Sequence, residues 1–394
     1  MHSKYFIIFF NLFSLIYCYK ILVVNPKFGY SHVNFFSQVA DILTEAGHDV
    51  TVLTINIDPT IKHPGAYKAK IITYPSTKEV EDNFANMIDN RFIWSLSNDG
   101  AQQFKFAMKF IDALHKQSLR VFNDEELVEK IMKEKFDLGI TEAMNIYVLG
   151  MFKVWGIKAY VTGYSMSLGD HFYKFFGLPF PASFIPNYMS SSTDKMTYSE
   201  RFENWFVHNF GEFMGYFLRD KMTLQSEFDK KYGVGFYDSN SVVGDSSFLV
   251  LNSNPFLDIP GPKTPKMVEV SGIGQKCGIV MNKFELADSS KLITNIKTIL
   301  DDDTYKKNAK MVSRRLNKRP IGSKRLLIEH IEFAAEFGKL DMLDLASRHM
   351  GIIEYYNLDI ILPVISGFIV FVGLIFFIIF RIFKKLFTKK LKND

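Results

Sequence analysis

A strand, a helix and a second strand follow one another near the start of this chain. Residues 21–25 (ILVVN) form a continuous apolar run, which is typical of a strand buried on both faces of a sheet. Apolar residues then recur at helical spacing over 36–43, with Ser31 as the expected N-cap and Gly47 as the expected stop. Residues 50–54 (VTVLT) supply the next strand. Such a βαβ unit requires a parallel sheet, so the sequence predicts an α/β fold.

The remaining pattern predicts two lobes of unequal completeness. Further strands are expected at 69–74, 136–141, 158–163 and 248–252, and helices at 102–120, 125–135, 292–300, 305–316 and 323–337. Four prolines from Pro255 to Pro265 predict a linker over 255–267, between a Rossmann-like lobe (19–254) and a second lobe (268–358). Only two strands, 268–271 and 279–281, are expected in that second lobe, too few for a doubly wound sheet. The second lobe is therefore predicted to be truncated.

Two apolar segments differ in length and in the role that they are predicted to have. Residues 1–18 hold a run of about thirteen apolar residues, which suits a signal peptide and is too short to span a bilayer. A buried first strand is the alternative. Residues 360–380 carry no charge and can cross the ~30 Å hydrocarbon core as one transmembrane helix. Basic residues follow at once in the tail 381–394, which predicts a cytoplasmic C-terminus and a single-pass type I topology.

The net charge of +5 falls entirely within that tail, which has six basic residues and one acid. The remainder is neutral, which argues against a nucleic-acid partner. Lys390 and Lys392 have the spacing of a dilysine retrieval signal for the endoplasmic reticulum, with ordinary flanking charge as the alternative. The two cysteines, Cys18 and Cys277, make no CxxC pattern, and HExxH, Walker A and GxSxG motifs are absent, so no metal site or acyl-transfer site is predicted.

His32 is the strongest catalytic candidate. It follows the first strand by a short turn and falls in the first turn of the first helix, at the sheet edge where α/β proteins bind ligands. The helix dipole there favours the neutral imidazole that a general base needs. Glu142 follows the strand 136–141 at the same edge, where its carboxylate can partner the imidazole. A surface or capping histidine is the alternative.

Two further motifs occur in the chain. Residues 272–278 (GIGQKCG) suggest a dinucleotide loop, but the third glycine comes one position late and a strand, not a helix, follows it, so that reading is rejected. Residues 179–186 are predicted to form a proline-studded loop. Two interpretations are open for the aromatic residues in and before this loop, namely an acceptor pocket and ordinary core packing. These residues are Phe172, Phe175, Phe176, Phe180 and Phe184.

Several stretches together resemble the membrane-bound UDP-glycosyltransferases, the UDP-glucuronosyltransferase group of animals. They are FGYSHVNFFSQVADILTEAGHDVTVLT (28–54), FDLGITEA (136–143), LPFPASFIPNYMSSSTDKMTYSERFENW (178–205), FLVLNSNPFLDIPGPKTPKMVEVSGI (248–273) and LIEHIEFAAEFGKLDMLDLASRHMGIIEYYNLDI (327–360), followed by the apolar segment and KKLKND. The resemblance covers nearly the whole chain.

The resemblance implies a GT-B-like fold in the endoplasmic reticulum membrane, with a luminal body. The first lobe would bind a small lipophilic acceptor, the second a UDP-sugar, and transfer would invert the anomeric carbon without a cofactor. His32 matches the family's general base, and Glu142 stands where its partner acid, usually Asp, is found. Dimers with the same chain or with other members are also implied.

One family segment is missing. The donor signature, T-H-G-G followed by a helix and a D-Q pair, is expected between Ile273 and Cys277 and does not occur there. Three hypotheses follow: a UDP-glycosyltransferase; an inactive acceptor-binding or dimerising form, which would bind UDP-sugar only if the donor lobe were completed; or an incomplete gene model.

Overall fold

A computed structural model describes most of the chain. The described residues are 18–85, 100–188, 190, 192–255, 257–271, 290, 293, 296–297, 300 and 303–390. The predicted signal peptide (except Cys18), Cys277, Lys392, the loop 272–278, the strand 279–281 and most of the helix 292–300 lie outside them. The predicted gap in the donor segment, between Ile273 and Cys277, also lies outside them.

Seven parallel strands form one sheet in the order β3-β2-β1-β4-β5-β6-β7. Their bounds are β1 Lys20–Lys27, β2 Asp49–Asn56, β3 Lys70–Tyr74, β4 Leu138–Glu142, β5 Ala159–Tyr164, β6 Leu249–Leu251 and β7 Met267–Glu269. This sheet confirms the predicted α/β class and the Rossmann-like first lobe. Glu142, expected just past its strand, is the last residue of β4.

Helices cover both faces of the sheet. The α-helices of the first compact unit are α1 Tyr30–Glu45, α2 Lys78–Ala85, α3 Gly100–Asn123, α4 Glu125–Glu134, α5 Ile146–Val154, α6 Tyr198–Thr223, α7 Gln225–Tyr232, α8 Val242–Asp245, α9 Asp303–Asn317 and α10 Ser323–Phe337. Short 3₁₀ helices lie at Asp170–Phe176 and Asp341–Leu343.

Alternating side chains of β1 enter two separate hydrophobic clusters, as the strand repeat of two requires. Ile21 and Val23 pack with α1 and α10 on one face, whereas Leu22 and Val24 pack with α3, α4 and α5 on the other. This burial on both faces explains the continuous apolar run at 21–25.

The start of the first helix differs from its prediction. Helix α1 begins at Tyr30 with Gly29 in an extended conformation as its N-cap, so Ser31 lies inside the helix. A Cβ on Gly29 would lie 3.1 Å from His32 Cδ2, which favours glycine there. The helix ends at Glu45, and Gly47 has a φ of +99°, as the predicted stop requires.

The predicted linker at 255–267 is not a domain boundary. It joins β6 to β7, which pair in register within one sheet through Val250 and Val268. The strand expected to open the second lobe thus completes the first lobe's sheet. Helix α10, also assigned to the second lobe, buries Leu327, Ile331 and Ala334 on the same sheet. These segments pack here because the sheet offers a large apolar face that they cover.

The chain divides into two compact units, with the boundary between Asp344 and Leu345. The second unit contains a 3₁₀ turn at Ala346–His349 and helices α11 (Ile352–Tyr355) and α12 (Leu358–Lys390). Residues 358–381 of α12 are long and apolar enough to cross a membrane, by length and composition. The predicted span at 360–380 lies within this stretch, and Lys390 ends the helix.

Candidate functional site

The carboxyl ends of β1, β4 and β5 lie side by side at one edge of the sheet, because parallel strands all run the same way. Helix α1 starts three residues after β1 and carries His32 in its first turn. Glu142 ends β4, where it pairs in register with Gly163 of β5. The edge therefore brings together two residues that are 110 positions apart in sequence.

The imidazole of His32 and the carboxylate of Glu142 form a direct pair. Nδ1 of His32 lies 2.7 Å from Oε2 of Glu142. The Glu142 side chain is fully buried, and the His32 side chain is 12% exposed. A buried carboxylate requires a hydrogen-bonded partner, so His32 Nδ1–H is the natural donor to it. That tautomer leaves Nε2 unprotonated, and Nε2 makes no hydrogen bond to any described residue.

Ser165 is a third member of this group, and sequence reasoning missed it. Its Oγ lies 2.6 Å from His32 Nδ1, and its side chain is buried. The amide of Asn252 donates a 3.0 Å hydrogen bond to the backbone carbonyl of Ser165, which fixes the turn after β5. The one available signal was its position, directly after a strand that neighbours β4.

The surroundings of the pair are aromatic. The Phe28 ring packs 4.6 Å from the His32 ring, and the Phe110 ring of α3 packs edge-on against Phe28. Burial, with a smaller contribution from the Glu142 carboxylate, holds the pKa of Tyr164 well above its usual range. Tyr164 is therefore a neutral phenol at physiological pH.

The five candidate phenylalanines lie in different surroundings. Phe172 and Phe176 are buried in the core, and Phe175 packs against it. The Phe180 ring lies 4.4 Å from the His208 ring at a tilt of 37°, and Phe184 is exposed. The first three belong to a short 3₁₀ helix, where core packing, the simpler of the two interpretations, explains Phe172 and Phe176.

An apolar pocket of about 330 Å³ lies beside this segment. Its lining residues are Ala182, Ser183, Tyr198, Arg201, Phe202 and Trp205, which do not include the five phenylalanines. Most of them come from the start of α6, a helix that sequence reasoning did not predict. Its capping box, in which Thr197 and Glu200 bond each other's backbone amides, was a readable signal for it.

A second histidine–carboxylate pair joins this helix to the body. Nδ1 of His208 lies 2.7 Å from Oδ2 of Asp170, and the backbone amide of Tyr188 donates to Oδ1 at 3.1 Å. Burial raises the pKa of Asp170, but hydrogen bonds from His171, His208 and the Tyr188 amide outweigh it and hold that pKa well below its usual range. The ionised Asp170 carboxylate thus links α6 to the 3₁₀ helix through its hydrogen bond with His208.

No group of three or more histidine, cysteine or acidic side chains suited to a metal ion occurs in the part of the chain that the structure describes. Cys18 is an exposed free thiol.

Comparison with known proteins adds the family context. The family model described as UDP-glucoronosyl and UDP-glucosyl transferase matches residues 19–282 and 270–394. The human UDP-glucuronosyltransferase 3A2 is 27% identical over 266 residues, which cover 65% of this chain and 48% of that protein. The mouse 2-hydroxyacylsphingosine 1-beta-galactosyltransferase is 25% identical over 279 residues, 69% of this chain and 48% of that protein.

The chain thus spans about half the length of the curated relatives it matches. Among solved structures, TcCGT1 in complex with UDP is 11% identical, with a TM-score of 0.32 over 70% of this chain and 55% of that one. A likeness at this level does not bear on the site.

Proposed function

Because the chain belongs to the UDP-glucuronosyl and UDP-glucosyl transferase family, we propose that its first lobe activates the hydroxyl of a small lipophilic acceptor for transfer of a sugar from a UDP-sugar. The observation that carries this proposal is the 2.7 Å contact between His32 Nδ1 and Glu142 Oε2 at the carboxyl edge of the sheet. It leaves Nε2 as a base that faces away from the carboxylate.

In the proposed reaction, Nε2 of His32 takes the proton of the acceptor hydroxyl as its oxygen attacks the anomeric carbon. The bond from that carbon to the UDP oxygen breaks on the opposite face, so the configuration inverts. The imidazolium that forms carries its positive charge next to the buried Glu142 carboxylate, which stabilises it. Glutamate in place of the family's usual aspartate meets Nδ1 directly, so the longer side chain is accommodated.

Ser165 is proposed as a positioning residue for this base. Since the carboxylate is the stronger acceptor, Nδ1–H points mainly towards Glu142, and Ser165 Oγ accepts from the same N–H as a second acceptor, which restrains the ring. In a chain completed with a donor segment, Ser165→Ala is expected to lower kcat about tenfold with little change in KM, as the loss of one hydrogen bond predicts. Ser165→Thr keeps the hydroxyl and should restore most of the rate. An equal loss in both variants would assign Ser165 a packing role.

The cellular setting is proposed from the sequence. Residues 1–18 act as a signal peptide, the apolar part of α12 spans the endoplasmic reticulum membrane, and the basic tail lies in the cytoplasm with Lys390 and Lys392 as a retrieval signal. Dimerisation remains a prediction. The acceptor class rests on the aromatic surroundings of His32, which suit an apolar molecule bearing one hydroxyl.

A second candidate function is acceptor binding without turnover. It is favoured by the missing T-H-G-G segment and by the family match, which breaks into two pieces that overlap at 270–282, where the segment is expected. Without backbone amides at a helix N-terminus, the pyrophosphate of the UDP-sugar would lack its hydrogen-bond donors.

The test is UDP-glucuronate binding by the full chain in detergent, measured by thermal shift and by calorimetry. For the chain as it stands we expect no shift, and for a variant that carries the donor segment of a full-length relative after Ile273 we expect a saturable shift. Saturable binding to the unmodified chain would contradict the loss of the donor site, on which the second candidate rests. Failure of the completed variant to transfer sugar to any lipophilic alcohol would count against the first.

A further inference from the structure

Three nitrogen-bearing side chains gather beyond the carboxyl end of β1. Lys27 is the last residue of that strand, and Lys62 and His63 belong to the loop that follows β2. The loop is held over the strand end because the amide of Asp58 donates to the carbonyl of Lys27 at 2.8 Å. In the same loop, the Lys62 ammonium donates to the carbonyl of Pro59 at 3.1 Å. We call Lys27, Lys62 and His63 the basic cluster.

The positive charge of Lys27 has no acidic partner in the part of the chain that the structure describes. Its side chain is partly buried, and its pKa is lowered from the usual value because burial desolvates the ammonium and the Lys62 charge is close. The pKa of His63 is also lowered, first by burial and then by the Lys27 charge, and the Asp41 carboxylate opposes this only in part. The basic cluster is therefore an uncompensated group of like charges.

Other lysines of the same region do have acidic partners. Lys68, in the same loop, pairs with Glu45, and Lys70, the first residue of β3, pairs with Asp49 at 2.7 Å. Hydrogen bonds to these carboxylates raise the pKa of both lysines. A partly buried cation without a counterion is unfavourable, and groups with such perturbed pKa values are concentrated at functional sites. The basic cluster is thus a candidate site for an anion.

His63 adds an unpaired hydrogen-bond donor to the cluster. It is 6% exposed, and its Nδ1 accepts from the amide of Gly65 at 3.0 Å, so the neutral ring carries its proton on Nε2. That buried Nε2–H has no acceptor among the described residues. The rings of Tyr30 and Tyr67 pack edge-on against the His63 ring, at 5.9 and 5.1 Å, and fix its orientation. The cluster offers donors and positive charge, which suit an oxyanion.

The acidic residues around the cluster limit the size of that oxyanion. The Asp58 carboxylate accepts from the amide and the hydroxyl of Thr60, and the Asp41 carboxylate accepts from the amides of Tyr67 and Lys68. Both carboxylates carry negative charge next to the loop, which disfavours an extended polyanion. A single carboxylate or phosphate group on a small molecule fits the arrangement better.

The basic cluster also shares its sheet edge with the proposed base. Lys27 ends β1, helix α1 begins three residues later at Tyr30, and His32 lies in the first turn of that helix. The Tyr30 ring of the same turn packs against His63. One small molecule can therefore place a hydroxyl at His32 and an acid group at Lys27.

On the basis of the proposed function, we propose that Lys27 and Lys62 bind the carboxylate or phosphate group of the acceptor whose hydroxyl is activated by His32. The acceptor class is then a hydroxylated lipophilic acid, and not a neutral alcohol. Binding of the acid group requires neither the donor segment nor sugar transfer, so it can be measured on the chain as it stands.

The test uses the full, unmodified chain in a nonionic detergent. Acetic anhydride at low dose labels lysine amines, and peptide mass spectrometry gives the labelling rate at each lysine. The probe is ω-hydroxylaurate, which carries a hydroxyl and a carboxylate on a flexible apolar chain. At saturation it should slow the labelling of Lys27 about fivefold, because an ion-paired amine is shielded from acylation. Its methyl ester should not protect Lys27, and neither compound should protect Lys70.

Variants give an independent measurement. Lys27→Met and Lys62→Met should each weaken ω-hydroxylaurate binding about tenfold in calorimetry, as the loss of one hydrogen bond to a charged group predicts. The matched control Lys70→Met removes a lysine that already has an acidic partner and should leave the affinity unchanged. The methyl ester should bind all three variants and the parent equally, since it has no charge for either lysine to recognise.

Three results would overturn the proposal. Equal protection of Lys27 by the acid and by the ester would show an apolar contact, and absence of any protection would show that the cluster binds no acid. Protection by inorganic phosphate but not by ω-hydroxylaurate would assign the cluster to free phosphate. If instead the acid binds through Lys27 but a completed chain transfers no sugar to any alcohol, only the proposed function fails.

Discussion

His32→Ala is expected to lower kcat by ~10²–10⁴ in a chain completed with a donor segment, because it removes the group that takes the acceptor proton. The measurement is sugar transfer to a lipophilic alcohol at saturating UDP-sugar. KM for the acceptor should change little, since the aromatic residues around the site remain. Glu142→Gln should also be slow, because an amide can donate to Nδ1 and hold the ring in the unproductive tautomer.

The matched control is His349→Ala, which removes an exposed histidine from the second unit. It should leave kcat within twofold of the parent. If His32→Ala turned over at the parental rate, the base would have to be another group, and the pairing of His32 with Glu142 would be structural.

Lys266→Met is expected to cost about 3–5 kcal/mol of unfolding free energy, the range found when one member of a buried ion pair is removed. Lys266 is fully buried just before β7, where its Nζ lies 2.5 Å from Oδ1 of Asp344 and donates to the carbonyl of Gly244 at 2.9 Å. The substitution leaves a mostly buried carboxylate without its lysine. Chemical unfolding in detergent, followed by tryptophan fluorescence, measures the loss.

Two variants separate charge from packing. The double variant Lys266→Met with Asp344→Leu removes both charges and should recover most of the lost stability. Lys263→Met breaks a more exposed pair with Glu269 and should cost no more than about 1 kcal/mol. A double variant as unstable as the single one would show that shape, and not the loss of the ion pair, is responsible.

The first half of the fold can be predicted from the sequence because the patterns that indicate it are local. The strands at 21–25 and 50–54 and the helix between them have the periodicity of their final burial. The helix at 323–337 was also placed correctly in sequence, yet its packing on the first sheet was not. Its apolar stripe predicts that one side of the helix is buried but does not indicate which element covers that side.

The candidate site was predictable in part for a similar reason. His32 and Glu142 each follow a predicted parallel strand, and the carboxyl ends of such strands share an edge. Ser165 has no comparable signal, because a serine after a strand is common and only distance shows that it reaches Nδ1. The Asp170–His208 pair spans 38 positions without any motif.

The sequence by itself determined the α/β class, the apolar C-terminal helix and the sheet edge on which His32 and Glu142 meet, because periodicity and strand direction are properties of short segments. The tertiary structure alone decided that β7 joins the first sheet, that Ser165 touches the imidazole and that Asp170 meets His208 of α6. Those outcomes depend on which distant segments compete for the same buried surface.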